Sequence, residues 1–163
     1  MKLTAFTDYC LRVLIYLAAQ APRRATIAAI AQAYGVSEHH LTKVVHFLGK
    51  EGWVATVRGK GGGLGLALPP TQVSIGEVVR RAEGPAVPAE CFDRERGACA
   101  IAPACRLRQA LREAVDAFHA VLDGYTLEDL MGSRQALVQL LFYESPLPAP
   151  RPVAAPPGRH ATE

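Results

Sequence analysis

The sequence predicts a mainly α fold carrying one small β-hairpin, and three observations predict it. Apolar residues recur at helical spacing through most of the chain before Gly52. Two short β-rich runs, Trp53–Val57 and Leu64–Leu68, flank the tip Arg58-Gly-Lys-Gly-Gly-Gly63, whose glycines permit a tight reversal. Beyond Ala104, a long run spaces its apolar residues alternately four and three apart.

The elements follow in order. From Thr7 to Ala19, Cys10, Leu11, Val13, Leu14, Leu17 and Ala18 make a helix that Pro22 ends. Thr26 caps a short apolar helix through Tyr34, and Gly35 terminates it. Ser37 caps a third helix, in which Leu41, Val44, Val45 and Leu48 form one buried stripe and Gly52 marks the end. Helix, turn, helix and hairpin in this order make a winged helix-turn-helix. After Pro69 and Pro70, Ser74 caps a helix with Ile75, Val78 and Val79 on one face, and Gly84-Pro85 stops it. A loop from about 85 to 103 precedes the longest helix, Ala104 to Leu122. There Leu107, Leu111, Ala114, Phe118, Val121 and Tyr125 define a heptad seam suited to a twin helix in a dimer. Thr126 and Ser133 cap two short final helices, Leu127–Met131 and Gln135–Tyr143. Six prolines between Pro146 and Pro157 leave 145–163 as a disordered tail.

This divides the chain into four parts. Residues 1–70 form a winged helix-turn-helix, 71–103 a linking helix and cysteine-bearing loop, 104–144 the dimerisation helix and C-terminal helices, and 145–163 the tail. At 163 residues, half of them apolar and a fifth charged, the chain supports a packed core but is too short for a catalytic barrel of about 250 residues. No stretch reaches the roughly 20 uncharged apolar residues that span a bilayer, and the start lacks a signal-peptide pattern, so a soluble cytoplasmic protein is expected.

Charge separates the two halves. Residues 1–70 hold eight Lys/Arg against three Asp/Glu, whereas the remainder holds ten against twelve. A basic first half suits a polyanion, most readily nucleic acid. On the third helix His39, Lys43, His46 and Lys50 share one stripe opposite the Leu41/Val44/Leu48 face, as a major-groove reader requires. His40 and Thr42 flank that stripe within reach of bases or phosphates; Lys50 and Ser37, at the helix ends, suit phosphate contacts. Arg58 and Lys60 place positive charge on a glycine frame with little bulk, fit for a minor groove or phosphate backbone. A phosphate-binding loop is a poor match, because Lys60 is followed by Gly61 rather than Ser or Thr.

Of four cysteines, Cys91, Cys99 and Cys105 lie close together. Their intervals of seven and five residues exceed the usual zinc-knuckle spacing and suit a loop around a larger group. Three thiolates point to an iron–sulfur cluster, with zinc and redox thiols as the alternatives, and Arg94, Arg96, Arg106 and Arg108 would offset their charge. Cys10 shares the side of its helix with Phe6, Leu14 and Leu17 and reads as a buried structural thiol.

Four segments together resemble the dimeric winged-helix regulators that carry an iron–sulfur cluster, most closely the nitric-oxide-sensitive repressors among them. They are Leu3-Thr-Ala-Phe-Thr-Asp-Tyr9, Val57-Arg-Gly-Lys-Gly-Gly-Gly63, Ile101-Ala-Pro-Ala-Cys-Arg-Leu-Arg-Gln-Ala-Leu111 and Tyr125-Thr-Leu-Glu-Asp-Leu130, and the likeness runs from residue 1 to about 143. The resemblance implies a homodimer with crossed long helices. It also implies a cluster, 4Fe–4S in preference to 2Fe–2S, held by Cys91, Cys99 and Cys105 of one subunit and Asp8 of the partner subunit. Arg108 stands where the family's regulators of cluster biogenesis place a histidine. The implied function is repression from double-stranded operator DNA, relieved when nitric oxide reacts with the cluster. Alternatives are a regulator reading iron or cluster status, or a zinc-stabilised DNA-binding protein. For Asp8 the competing role is an ion pair with Arg12 one turn on. An enzyme is not expected, since the histidines lie on the third helix, at His119 on the long helix and at His160 in the tail, and no catalytic triad or carboxylate pair stands out.

Overall fold

The first helix, α1 (Ala5–Gln20), begins at Thr4, whose hydroxyl accepts a hydrogen bond from the Thr7 amide at 3.2 Å. In this computed structural model, which describes residues 2–85, 89, 92, 99, 101 and 104–143, α1 is the hub of the core. Its Cys10, Val13, Leu14 and Leu17 are buried on one stripe, and α3, α4 and α6 all pack around it. Helix α2 (Ile27–Tyr34) is capped by the Thr26 hydroxyl and ends at Gly35, whose φ of 62° is the left-handed conformation that glycine adopts without strain. Helix α3 (Glu38–Lys50) buries Leu41, Val44, Val45 and Leu48, as its spacing predicts. Ser37 stands at the cap position, but its side chain makes no capping bond. The helix starts without it because Glu38 in the first turn complements the helix dipole.

Strands β1 (Val54–Val57) and β2 (Gly63–Leu66) pair antiparallel, with Val54 opposite Leu66 and Val57 opposite Gly63. Leu64 also exchanges backbone hydrogen bonds with Ala25, at 2.7 and 2.9 Å. The wing is therefore tied to the turn between α1 and α2, a link that the hairpin pattern does not announce.

Helix α4 (Ile75–Glu83), capped by Ser74, adds Ile75, Val78 and Val79 to the same core as α1 and α3. Gly76 has no Cβ where one would strike the Asp123 carboxylate, so the start of α4 approaches the end of α5 (Arg106–Asp123) closely. Arg80 and Asp123 pair across that contact. The predicted helix Leu127–Met131 is reduced to a 3-10 turn at Asp129–Met131, because the Asp129 carboxylate accepts from both the Thr126 amide and hydroxyl at 2.7 Å and folds the chain back on itself. Helix α6 (Arg134–Phe142) then packs Phe142 edge-on against Tyr16, with ring centroids 5.0 Å apart. Ser133, expected to cap α6, makes no side-chain bond there.

The heptad seam of α5 divides. Phe118 turns inward against the core beside Leu122, which lies off the seam, whereas Leu107 and Val121 are 66% and 63% exposed. The open apolar stripe is Leu107, Ala110, Ala114, Ala117 and Val121, and no residue of this 18-residue helix is buried. Among the described residues, no helix is long and apolar enough to cross a membrane.

Candidate functional site

Two surfaces carry the chemistry. The first is the outer face of α3, where His39, His40, Thr42, Lys43, His46 and Lys50 are all exposed, as is Ser37 ahead of them. The buried face of the same helix fixes their direction, since Leu41, Val44 and Leu48 cannot turn outward without emptying the core. The Thr42 hydroxyl donates to the Glu38 carbonyl at 2.8 Å, so its oxygen is left as an acceptor. His40 stacks on Tyr9 of α1, with centroids 6.3 Å apart and planes 23° from parallel. Those two rings, with Ala5, Phe6, Lys43 and Val44, line a shallow cavity of about 160 Å³ between α1 and α3.

The wing brings Arg58 and Lys60 into solvent. Its tip needs glycine: a Cβ on Gly62 would collide with the Val57 carbonyl, and Gly63 at φ 141° lies against the Ala25 carbonyl. Arg24 is the cation that pattern reasoning misses. Its Cβ lies 3.1 Å from where a Cβ on Gly63 would stand, placing an exposed guanidinium beside the wing. In the sequence Arg24 merely follows a helix stop; only the bridge from Ala25 to Leu64 brings it there.

The second surface is the head of α5. Cys105 is half-buried at the N-cap position, Cys99 is exposed, and neither forms a disulfide. Cys91, Arg94, Arg96 and the proline-rich segment 145–163 lie outside the described residues. Cys105 makes no side-chain capping bond at the start of α5, where the first-turn amides and the positive end of the helix dipole lie. Arg106 and Arg108 follow directly. Two thiols free of disulfides, with arginines next to them in the chain to balance charge, are a donor set that fits a thiolate-ligated cluster. Arg108 extends its guanidinium to 5.8 Å from the Phe92 ring, leaving no imidazole at the position three residues after Cys105.

Among the described residues, no three His, Cys, Asp or Glu side chains gather as a metal site. Asp8 pairs instead with Arg12 at 2.8 Å, both side chains remaining more than two-fifths exposed. Arg12 is itself held from below. Its guanidinium lies 5.7 Å from the Tyr34 ring centre, and the Tyr34 hydroxyl donates to the Arg12 carbonyl at 3.0 Å. Burial, only partly opposed by Arg12, pushes the Tyr34 hydroxyl up to about 12, so it stays a donor at neutral pH. Burial likewise raises the Cys10 thiol to about 12, and it packs as an inert apolar group.

Comparison with known proteins places these features in company. Residues 3–133 match the Rrf2 family, described as iron-dependent transcriptional regulators. The chain is 48% identical over 142 residues to the HTH-type transcriptional regulator NsrR of Bacillus subtilis, covering 86% of this chain and 97% of that protein. It is 47% identical over 142 residues to NsrR of Geobacillus kaustophilus, again covering 86% of this chain and 97% of that protein. The fold superposes on CymR, the global cysteine regulator of B. subtilis, with a TM-score of 0.63 at 32% identity, covering 82% of this chain and 98% of that one. It also superposes on IscR of T. potens, with a TM-score of 0.67 at 23% identity over 84% of this chain and 90% of that one.

Proposed function

Because the chain belongs to the Rrf2 family of transcriptional regulators, we propose that it is a DNA-binding repressor that senses nitric oxide through an iron–sulfur cluster and then leaves its operator. The observation that supports this reading is Cys105, an unbonded thiol at the N-cap of α5, with Cys99 unbonded six residues before it in the chain. The apolar stripe of that helix lies open, and the chain presents a basic helix and wing elsewhere.

Residues 1–70 act as the DNA-binding part. His39, His40, Lys43 and His46 address base edges in the major groove, Ser37, Thr42 and Lys50 the phosphates beside it, and Arg58 and Lys60 the backbone or minor groove. Residues 71–103 link this part to the cysteine segment, and 104–144 carry dimerisation. The open stripe of α5 packs on its own copy, its three alanines allowing close approach. Two copies so joined present two α3 helices, which is the geometry a palindromic operator reads. Cys91, Cys99 and Cys105 hold the cluster, a 4Fe–4S rather than a 2Fe–2S one, with Asp8 of the partner subunit as the fourth donor. When bound, the cluster supplies iron that reacts with nitric oxide. Asp8 would be the one oxygen donor among sulfurs and so the weakest of the set, and Arg12, one turn away, is placed to pair with its carboxylate. Such a switch works in the cytoplasm, where the DNA is.

Iron and sulfide content and the visible absorption of protein purified without oxygen test the assignment. The wild-type chain should be brown with iron approaching four per subunit, roughly a 4Fe–4S complement. Cys99→Ala and Cys105→Ala should be colourless yet folded. A Cys99→Ala chain that keeps full iron, or a wild-type chain that takes only zinc, contradicts it.

A further inference from the structure

We propose that Glu83 is the positioning residue that couples the cysteine segment to the DNA-reading helix within one protomer, by completing the N-terminal cap of α1. The proposal rests on the function above and names the route by which that site is regulated.

A helix that starts with Thr is often completed by a Glu three residues later, which reaches back to the amide of the capping residue. In α1 that third position is Thr7, which has no carboxylate, and the missing acceptor comes from the far end of α4. Glu83 Oε1 accepts from the Thr4 amide at 2.7 Å and from the Thr4 hydroxyl at 3.0 Å, across 79 residues of chain. Thr4 in turn holds the first turn, its hydroxyl accepting from the Thr7 amide at 3.2 Å and its carbonyl from the Asp8 amide at 3.1 Å. Partial burial alone would raise the Glu83 carboxyl, yet hydrogen bonds from Thr7 and Thr4 outweigh it and hold it below the usual glutamate range.

Both ends of this link matter. Glu83 is the last residue of α4, and Gly84 then directs the backbone into the segment that carries Cys91 and Cys99. On the other side, the turn that Thr4 fixes presents Asp8, and Phe6 and Tyr9 of the same turn grip α3. Tyr9 stacks on His40, and Phe6 meets Phe47 edge-on with centroids 5.3 Å apart. A displacement of the cysteine segment that pulls the end of α4 therefore loosens the α1 cap and, through Phe6 and Tyr9, shifts α3 beneath its recognition stripe.

Hydrogen exchange on the full-length, cluster-loaded chain before and after nitric oxide tests this, comparing wild type, Glu83→Gln and Glu83→Ala. Gln keeps the accepting oxygen and Ala removes it. Before any nitric oxide, Glu83→Ala should speed exchange at the Thr7 and Asp8 amides by about fivefold, the equivalent of a lost cap, and should speed exchange in α3 as well, whereas Glu83→Gln should do neither. In wild type and Glu83→Gln, nitric oxide should then change exchange in α1 and α3 together with the segment before α5. In Glu83→Ala the segment should respond as in wild type while the response of α3 falls severalfold. If α3 of Glu83→Ala responds as in wild type, the relay is overturned. If exchange in Glu83→Ala without nitric oxide rises only in the first turn of α1 and leaves α3 untouched, the cap is structural and the relay is equally overturned; this comparison holds for protein without the cluster too. Failure of the sensing function itself would look different, as a wild-type chain in which nitric oxide moves nothing.

Discussion

Asp8 and Cys10 stand two residues apart on one helix and have opposite fates. Two positions on an α-helix are about 200° apart around its axis, so one side chain meets solvent and Arg12 while the other enters the core. Both outcomes are legible in the sequence from spacing alone, and so is the ion pair at i, i+4. Because burial raises the Cys10 thiol to about 12, its thiolate is scarce at pH 8. Iodoacetamide at that pH should modify Cys99 in the cluster-free native chain and leave Cys10 unmodified until denaturant is added, as peptide mass spectrometry would show. Lys60, exposed at the wing tip, belongs to the phosphate class of contacts. Lys60→Ala should weaken binding alike on every duplex and reduce the slope of log affinity against log salt by about 1. Arg24 is not legible in the sequence, because its place beside the wing depends on the backbone bridge of Ala25 to Leu64, a pairing between segments far apart in the chain.

At the scale of elements, the helices and the hairpin follow from periodicity and from glycine, but their inward faces do not always. The alternating four and three spacing of α5 is shared by two adjacent stripes, one through Phe118 and Leu122 and one through Ala114 and Val121. Only the docking of α4 on α5, permitted by Gly76, decides which of them is covered. Caps show the same limit. Thr4, Thr26 and Ser74 make the bonds their positions require, whereas Ser37 and Ser133 occupy cap positions without making them. The bond from Thr4 to Glu83 joins ends that no local pattern relates. Glu83 is an acid whose folded pKa lies below its unfolded value, so its contribution is present above about pH 4.3 and is lost as pH falls through the folded value. Glu83→Ala should therefore lower the melting temperature by about 2–4 °C at pH 7. That difference from wild type should shrink steadily on acidification below pH 4; a gap that is constant with pH would show that the carboxylate charge does not matter.

At the scale of the whole molecule, the described residues form one buried cluster that runs from α1 through α3 and α4 to Leu127 and Met131, and an exposed helix with an apolar stripe left over. The fold class is legible in the sequence because each half of the pattern is local. The cysteine site is legible only as residue types at a spacing, since its members follow no helical or strand period and, in our proposal, one comes from a second copy. Val121, 63% exposed at the C-terminal end of the open stripe, separates these levels. Val121→Glu should leave the melting transition of the subunit core cooperative but convert a dimer to a monomer by light scattering, and weaken operator binding by at least about tenfold through loss of paired half-sites.

The central claim is that nitric oxide acts on the cysteine site and is read out on DNA. The measurement that meets it most directly is operator binding by the anaerobic, cluster-loaded chain, followed by anisotropy while nitric oxide is added in steps and the visible absorption is recorded in the same cuvette. The account predicts that binding falls as the absorption bleaches, and that a cluster-loaded Asp8→Ala chain bleaches but shows a much smaller change in binding. Undiminished binding after complete bleaching of the wild-type chain would contradict it.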